Sequence, residues 1–321
     1  MRAVVYTQYG PPDVLQLGEL EKPSPQGNQV LVKVRASSVN AGDYRVRTGK
    51  PLVMRLALGG LQRPKDTRLG SDVAGVVEAV GEDVTQFKPG DEVFGCASGA
   101  MAEYALAREI YLALKPAIVP FEQAAATPVA GLTALQAIRY AGGIQPGQKV
   151  LIQGASGGVG TFVVQLAKLY GAEVTGVCSP KNAELVRSLG AEHVIDYTRE
   201  NFTRGAQRYD LIFAINGYQP LWAYQRTLSP QGVYVCVGGT LGQIFQAILL
   251  GPRFSRKGGK RLGNMGIAKV EQADLITLAE LLESGKLTPV IDRSYALDEV
   301  VEAFRYVEGT HAQGKAVIRV G

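Results

Sequence analysis

The chain has 321 residues, of which 46% are hydrophobic and 20% are charged, and its 34 basic and 29 acidic residues leave a formal charge of +5. This composition is typical of a soluble globular protein and excludes a disordered or low-complexity chain, and the small basic excess does not indicate a nucleic-acid-binding protein. Because one hydrophobic core seldom extends over so many residues, two domains are predicted.

Metal-binding and disulfide patterns are missing from the sequence. The three cysteines, Cys96, Cys178 and Cys236, lie far apart without Cys-x-x-Cys spacing, and the only histidines are His193 and His311. Neither a disulfide framework nor a metal centre is therefore expected. No apolar run is long enough to span a bilayer and the chain opens on a strand-like run rather than a secretory leader, so a cytoplasmic location is predicted.

Residues 1–120 alternate short apolar runs with turns rich in proline and glycine. The runs are Ala3–Tyr6, Gln29–Arg35, Val73–Val80, Glu92–Gly95 and Ala102–Leu106. This alternation predicts an antiparallel β domain or barrel. The interval Thr48–Arg68 is too apolar for an ordinary loop, and it is predicted to form a short helix or a flap over a pocket.

From Phe121 onwards, helices and strands alternate, which predicts a doubly wound parallel sheet. The predicted helices are Phe121–Ala126, Gly131–Ala141, Gly160–Tyr170, Lys181–Leu189, Leu221–Leu228 and Val270–Ser284. The predicted strands are Val150–Gln153, Val174–Val177, His193–Asp196, Leu211–Asn216 and Val233–Gly238, with a sixth at Val290–Ile291. A final helix, Leu297–Val307, and strand, Lys315–Val320, are expected to return to the first domain, which would make the second domain an insertion.

A glycine-rich turn connects the first strand of this sheet to its helix. The turn comprises Ala155, Ser156, Gly157, Gly158, Val159 and Gly160, with alanine in place of the first glycine of the dinucleotide fingerprint. Backbone N–H groups can approach a pyrophosphate here, and the helix dipole favours its negative charge. The strand–turn–helix–strand context favours dinucleotide binding over an ordinary glycine turn.

The end of the second strand indicates which dinucleotide is bound. NAD-binding proteins place an acidic residue there for the ribose hydroxyls, whereas this chain has Ser179 and Lys181. A hydroxyl and a cation suit a 2′-phosphate, so NADPH is predicted over NADH. The alternative is a solvated helix start with Ser179 as its N-cap.

Several motifs in this order resemble those of the medium-chain dehydrogenase/reductase superfamily. They are Leu69-Gly-Ser-Asp-Val-Ala-Gly, Lys88-Pro-Gly-Asp-Glu-Val, Gly131-Leu-Thr-Ala and the Ala-Ser-Gly-Gly-Val-Gly turn. The chain looks most like the zinc-free quinone oxidoreductase branch, which includes chloroplast envelope quinone oxidoreductase-like and enone reductase-like members. Where zinc-dependent relatives carry a cysteine ligand and a His-Glu pair, this chain has Asn40 and Ser71-Asp72.

The resemblance implies a Rossmann domain at residues 121–288 inserted into a GroES-like β-barrel domain formed by residues 1–120 and 289–321. It also implies a homodimer. The residues that would face the cleft are Asn40, Asp43, Tyr44 and Arg45. Asn40 would hydrogen-bond the nicotinamide ribose or the substrate carbonyl, and Tyr44 would donate a proton or pack its aromatic ring over the nicotinamide. The alternative for Asn40–Arg45 is a turn with one buried tyrosine. The further cofactor contacts that the resemblance implies are Thr127, Tyr197, Asn216, Gly238, Gly239, Thr240 and Asn264. For Asn216, Gly238, Gly239, Thr240 and Asn264 the alternative is an ordinary glycine turn.

The segment Leu241–Leu262 combines apolar residues with a basic cluster. Such a segment can lie on an anionic membrane, but a pocket lid or a dimer contact is favoured. The predicted function is NADPH-dependent, metal-independent hydride transfer to a quinone or an α,β-unsaturated carbonyl. The alternatives are an enoyl-thioester reductase and a nucleotide-binding structural or RNA-binding protein without turnover.

Overall fold

A computed structural model describes residues 1–57, 60–255, 259–309 and 312–321. Its contacts divide the chain into two compact units: unit 1 contains Met1–Val129 and Val270–Gly321, and unit 2 contains Ala130–Lys269. In chain order, therefore, unit 2 is inserted into unit 1. The limits of these units lie at 129/130 and 269/270, and the domain limits given above at 120/121 and 288/289 stay a prediction.

The strands are β1 Arg2–Val5, β2 Gln16–Glu19, β3 Gln29–Ser38, β4 Asp72–Val80, β5 Glu92–Cys96, β6 Tyr104–Arg108, β7 Leu112–Leu114, β8 Lys149–Gln153, β9 Glu173–Cys178, β10 His193–Asp196, β11 Tyr209–Ala214, β12 Leu228–Cys236, β13 Arg261–Asn264, β14 Ile291–Ala296 and β15 Lys315–Arg319. The helices are α1 Ala41–Thr48, α2 Leu52–Ala57, α3 Phe121–Ala125, α4 Pro128–Ala141, α5 Gly158–Leu169, α6 Ala183–Ser188, α7 Leu221–Thr227, α8 Leu241–Ser255, α9 Gln272–Glu283 and α10 Val300–Gly309.

Unit 1 is built on a seven-stranded sheet in the order β14-β15-β3-β4-β5-β7, with β6 also paired to β3. Strand β3 alternates buried and exposed residues from Val32 to Ala36, where Lys33 and Arg35 are exposed, and is buried on both faces towards its ends. The chain returns to this sheet at its end, because β15 pairs antiparallel with β3 and places Val317 opposite Ser38. The predicted return of the final strand is therefore confirmed.

Unit 2 contains a parallel six-stranded sheet in the order β10-β9-β8-β11-β12-β13. The predicted doubly wound parallel sheet is thus confirmed, but its predicted sixth strand at Val290–Ile291 is wrong. Strand β13 occupies that place, whereas Ile291 begins β14 in the sheet of unit 1. The sequence of β13, Arg-Leu-Gly-Asn, does not predict a strand because it is short and carries no apolar run.

The two segments whose structure the sequence left open, Thr48–Arg68 and Leu241–Leu262, both contain a helix. Within Thr48–Arg68, α2 covers Leu52–Ala57, and residues 58 and 59 lie outside the described residues. Within Leu241–Leu262, α8 is followed by β13, and 256–258 lie outside the described residues. Helix α8 exposes Phe245, Ile248 and Leu249 to solvent. Across the described ranges, we find no helix with the length and apolarity needed to cross a membrane.

Candidate active site

The glycine-rich turn of unit 2 leads directly into α5. Gly157 is the N-cap residue in extended conformation and makes no side-chain cap, so α5 begins at Gly158 with its first N–H groups at the turn. Gly154 takes the left-handed conformation, with φ of +81°. The conformation that favours glycine thus falls at Gly154, and Ala155 fits the following position, where its N–H donates to the Val177 carbonyl at 3.2 Å.

Glycine occurs at positions 157 and 160 of the turn for different physical reasons. A Cβ on Gly160 would lie 2.0 Å from the Gly154 carbonyl oxygen, so the packing of α5 against the turn requires glycine there. A Cβ on Gly157 would meet only that oxygen, at 3.5 Å, which is ordinary contact. Packing within the chain therefore does not require glycine at position 157, and the absence of a side chain there agrees with the predicted approach of a phosphate.

Ser156 is held by a neighbour within the same unit. The Asn182 side-chain amide donates to the Ser156 hydroxyl oxygen at 2.8 Å, and both residues are buried. This bond fixes the turn against the segment that follows β9. Gly158 and Val159, which form the first turn of α5, are half-buried and remain accessible.

The end of β9 carries a buried polar atom without a partner. The Ser179 hydroxyl oxygen has no hydrogen-bond partner among the described residues, although it is shielded from solvent. Lys181 is exposed two residues later, and Tyr197 follows β10 with 36% of its surface exposed. A buried hydroxyl is costly when it is unsatisfied, so this position fits a ligand that supplies an acceptor.

Loops after β11 and β12 approach each other closely. Gly217 and Gly239 form an isolated bridge, and a Cβ on Gly239 would lie 2.4 Å from the Gly217 carbonyl oxygen. Asn216 is exposed, Gly238 is half-buried, and the Thr240 hydroxyl accepts the Gln243 N–H at 3.2 Å in the first turn of α8. The glycines thus have a structural role, and the predicted cofactor contacts of these residues stay predictions.

Asn264 fixes the turn that follows β13. Its side-chain amide donates to the Cys236 carbonyl at 3.1 Å, and its oxygen accepts the Gly266 N–H at 2.8 Å. The segment from Met265 to Ile267 is therefore anchored to the carboxyl end of β12. Such an anchor can hold backbone groups for a ligand, and the predicted carboxamide contact stays a prediction.

A buried polar cluster occupies unit 1 around Asp72, whose exposed fraction is zero. Four groups donate to its carboxylate: the Ser38 hydroxyl, the Asn40 amide at 2.8 Å, the Lys315 ammonium at 3.2 Å and the Val129 N–H at 2.8 Å. The Lys315 ammonium also donates to the Asn40 side-chain oxygen. Such donors stabilise a carboxylate that has been removed from water.

Asn40 and Asp43 both belong to this cluster. The Asp43 carboxylate accepts the Asn40 N–H at 2.8 Å and so caps α1. Burial raises the pKa of Asp43 to about 7, and the negative charge of Asp72 acts in the same direction. Because the Asn40 side chain already bonds Asp72 and Lys315, its predicted contact with the ribose or the substrate carbonyl stays a prediction.

Tyr44 and Thr127 differ in accessibility. Tyr44 is 38% exposed, and its ring centre lies 5.8 Å from the Arg47 guanidinium. Thr127 is buried, and its hydroxyl donates to the Gln123 carbonyl at 2.8 Å. The predicted roles of both residues near the nicotinamide are not tested by these contacts.

Lys315 and Ser38 were missed from the sequence. Lys315 was predicted only as the first residue of a strand, and Ser38 lies beyond the predicted strand Gln29–Arg35. The available signal was a charged residue in an apolar strand, which indicates a buried partner. No group of three or more His, Cys, Asp or Glu side chains is arranged to hold a metal within the described residues, which do not include His311.

Comparison with known proteins covers almost the whole chain. A family model described as alcohol dehydrogenase GroES-like domain matches residues 26–117, and one described as zinc-binding dehydrogenase matches residues 189–318. The chain is 36% identical to the 2-methylene-furan-3-one reductase of Solanum lycopersicum, over 99% of this chain and 79% of that protein. It is 35% identical to the chloroplastic NADPH-dependent alkenal/one oxidoreductase of Arabidopsis thaliana, with the same coverage.

The fold agrees with these relationships. The quinone oxidoreductase of Coxiella burnetii superimposes with a TM-score of 0.87 and is 31% identical, over 100% of this chain and 99% of that one. The GroES-like domain and the parallel Rossmann sheet predicted above are both confirmed. The chain therefore belongs to the zinc-free quinone oxidoreductase branch of the medium-chain dehydrogenase/reductase superfamily and is an NAD(P)H-dependent oxidoreductase.

Proposed function

We propose that this protein uses NADPH in preference to NADH and reduces a quinone or an α,β-unsaturated carbonyl. When bound, the dihydronicotinamide supplies a hydride. The observation that carries the cofactor preference is the buried hydroxyl of Ser179, which has no hydrogen-bond partner among the described residues and lies two positions before the exposed Lys181. A 2′-phosphate offers oxygen acceptors to both groups. The ribose hydroxyls of NADH are instead bound by a carboxylate at the end of the second strand, where this chain has no acidic residue.

The residues of the turn have separate tasks in this proposal. The N–H groups at Gly157–Gly160 bind the pyrophosphate, and Ser156, held by Asn182, fixes the path of the turn. Tyr44 presents an exposed aromatic ring that can lie against a flat acceptor. Catalysis then rests on positioning the acceptor against the reduced ring.

The cofactor preference is tested by titrating NADPH and NADH against the wild-type protein and the Lys181→Ala and Ser179→Ala variants. A charge-assisted hydrogen bond contributes about 1.5–3 kcal/mol. Since Lys181 is exposed, we expect the lower end, which raises the Kd for NADPH about tenfold and leaves that for NADH nearly unchanged. Equal or tighter binding of NADH by the wild-type protein would contradict the proposal.

The acceptor is tested by following NADPH absorbance with quinones, short enones, long reactive carbonyls and enoyl thioesters side by side. We expect turnover with quinones or enones at rates above those with enoyl thioesters. The names of the relatives, a furanone reductase and an alkenal/one oxidoreductase, support this order. Preference for an enoyl thioester would favour the rival reaction.

We also propose a homodimer, supported by the exposed apolar residues Phe245, Ile248 and Leu249 of α8. Light scattering coupled to size-exclusion chromatography measures the mass directly. A monomeric mass at micromolar concentration would contradict the homodimer, and loss of the dimer in Leu249→Glu would identify α8 as the contact.

A further inference from the structure

Four neighbouring strands of unit 2 end on the same edge of its sheet. The order β10-β9-β8-β11 places the carboxyl ends of these parallel strands side by side. Two of the strands lead to a buried polar atom that has no hydrogen-bond partner among the described residues. These atoms are the Gln153 amide nitrogen at the end of β8 and the Ser179 hydroxyl directly after β9. Such atoms are costly in a folded protein, which indicates a ligand at this edge.

The loops after the two outer strands of this group each present an exposed tyrosine. Tyr197 follows β10 directly, and Tyr218 lies four residues after the end of β11 with 47% of its surface exposed. Their ring centres lie 6.4 Å apart, and the ring planes meet at 65°. A flat heterocycle can stack on one ring of such a pair and meet the edge of the other.

Tyr218 combines an exposed ring with a phenol group that has neighbours within the unit. Burial raises the pKa of this phenol, and the side chains of Gln219 and Gln153 lower it, so both side chains approach its hydroxyl group. Gln153 is itself fixed, because its side-chain oxygen accepts the hydroxyl of the buried Tyr224. An aromatic ring that is already held in place loses little conformational freedom when a ligand stacks on it.

The position of Tyr197 identifies which part of a dinucleotide reaches this pair. Its backbone N–H donates to the Cys178 carbonyl at 3.3 Å, and Cys178 directly precedes Ser179. In the proposed function, Ser179 and Lys181 bind the 2′-phosphate. Because that phosphate and the adenine base are attached to adjacent carbons of one ribose, a dinucleotide bound in this way carries its adenine, not its nicotinamide, close to Tyr197.

We propose that Tyr218 and Tyr197 form the adenine-binding surface of this protein, with the base stacked on the ring of Tyr218. This inference rests on the proposed function. Tyr218 belongs to none of the motifs described above, and both tyrosines lie within unit 2. An aromatic ring binds a base through its π-face, so this contact adds affinity for NADPH and NADH alike.

The experiment measures the Kd of four ligands by isothermal titration calorimetry: NADPH, NADH, 2′,5′-ADP and 5′-AMP. Removing the ring in Tyr218→Ala should raise all four Kd values about tenfold. The factor should be the same for NADPH as for NADH, because the base is common to both. Tyr218→Phe, which keeps the ring, should stay within twofold of wild type. Tyr197→Ala should also weaken all four ligands.

Tyr140→Ala is the matched control. Tyr140 is an exposed tyrosine of the same unit, but its ring lies beside the guanidinium of Arg261, the first residue of β13, and so away from the carboxyl ends of the strands. Its removal should leave every Kd within twofold of wild type. Lys181→Ala provides the opposite contrast, since it should weaken NADPH and 2′,5′-ADP much more than NADH and 5′-AMP.

Three outcomes would overturn the inference. One is a Kd for NADPH and 2′,5′-ADP within twofold of wild type in Tyr218→Ala. Another is an equal loss in Tyr218→Phe, which would assign the effect to the hydroxyl group. The third is a loss confined to NADPH and 2′,5′-ADP, which would make Tyr218 a phosphate contact. If Tyr218→Ala does not fold, as judged from its Tm, Tyr197→Ala decides the question.

Failure of the proposed function has a different signature. Equal binding of NADH and NADPH by the wild-type protein would overturn the cofactor preference. Equal losses of both dinucleotides in Tyr218→Ala would still support the adenine contact in that case, because the base is the same in both.

Discussion

Replacing Lys315 with methionine tests whether the cluster around Asp72 stabilises unit 1. The ammonium lies 3.2 Å from the Asp72 carboxylate, and the two side chains are 4% and 0% exposed. Methionine keeps the apolar stem but leaves the carboxylate buried without its cation and the Asn40 oxygen without its donor. Removing one partner of a buried ion pair costs about 3–5 kcal/mol.

Lys22→Met provides the matched control. Lys22 and Glu78 form an ion pair at 2.5 Å, but their side chains are 42% and 37% exposed. Exposed pairs of this kind contribute little to stability, because water screens their charges. The two variants thus lose the same ammonium group from the same unit, and they differ only in how far that group is exposed to solvent.

Urea unfolding followed by far-UV circular dichroism measures the effect, and the fluorescence of Trp222, the single tryptophan, reports on unit 2. With a slope of about 1–3 kcal/mol per molar urea, the expected loss lowers the midpoint of the Lys315→Met transition by at least about 1 M. A free energy of unfolding within about 1 kcal/mol of wild type, or equal to that of Lys22→Met, would refute the argument.

Three further predictions concern the cofactor and substrate regions. Gly160→Ala is expected to destabilise the protein and abolish NADPH binding, because its Cβ would lie 2.0 Å from the Gly154 oxygen. Gly157→Ala should keep the wild-type Tm and weaken only NADPH binding. Thermal melting and NADPH titration separate the two effects, and equal Tm losses in the two variants would contradict this prediction. Asn264→Ala removes both hydrogen bonds that anchor the turn after β13 and should raise the KM for NADPH with little change in Tm; an unchanged KM would contradict a binding role. If the Tyr44 ring only packs against the acceptor, Tyr44→Phe should lower turnover on enones less than twofold. A loss above tenfold at unchanged NADPH affinity would instead identify the Tyr44 hydroxyl as the proton donor.

The local sequence was sufficient for five of the six strands of the parallel sheet in unit 2. The bounds of His193–Asp196 were predicted as they occur, and the turn before α5 was recognised together with its strand and helix. These features depend on short-range chemistry: apolar runs, glycines that release the backbone, and helical spacing. The sixth strand was misplaced because β13 has no apolar run and is selected by its pairing with β12.

The chain by itself therefore determined most of the order of elements and the place where a dinucleotide is predicted to bind. Only the tertiary structure decided which polar side chains meet in unit 1. Lys315 reaches Asn40 across 275 positions and Asp72 across 243, because β15 pairs with β3 and β3 pairs with β4. No local pattern encodes such a register, since it is set by the pairing of strands that are distant in sequence. Burial within the folded unit, with the negative charge of Asp72 acting in the same direction, raises the pKa of Asp43 to about 7.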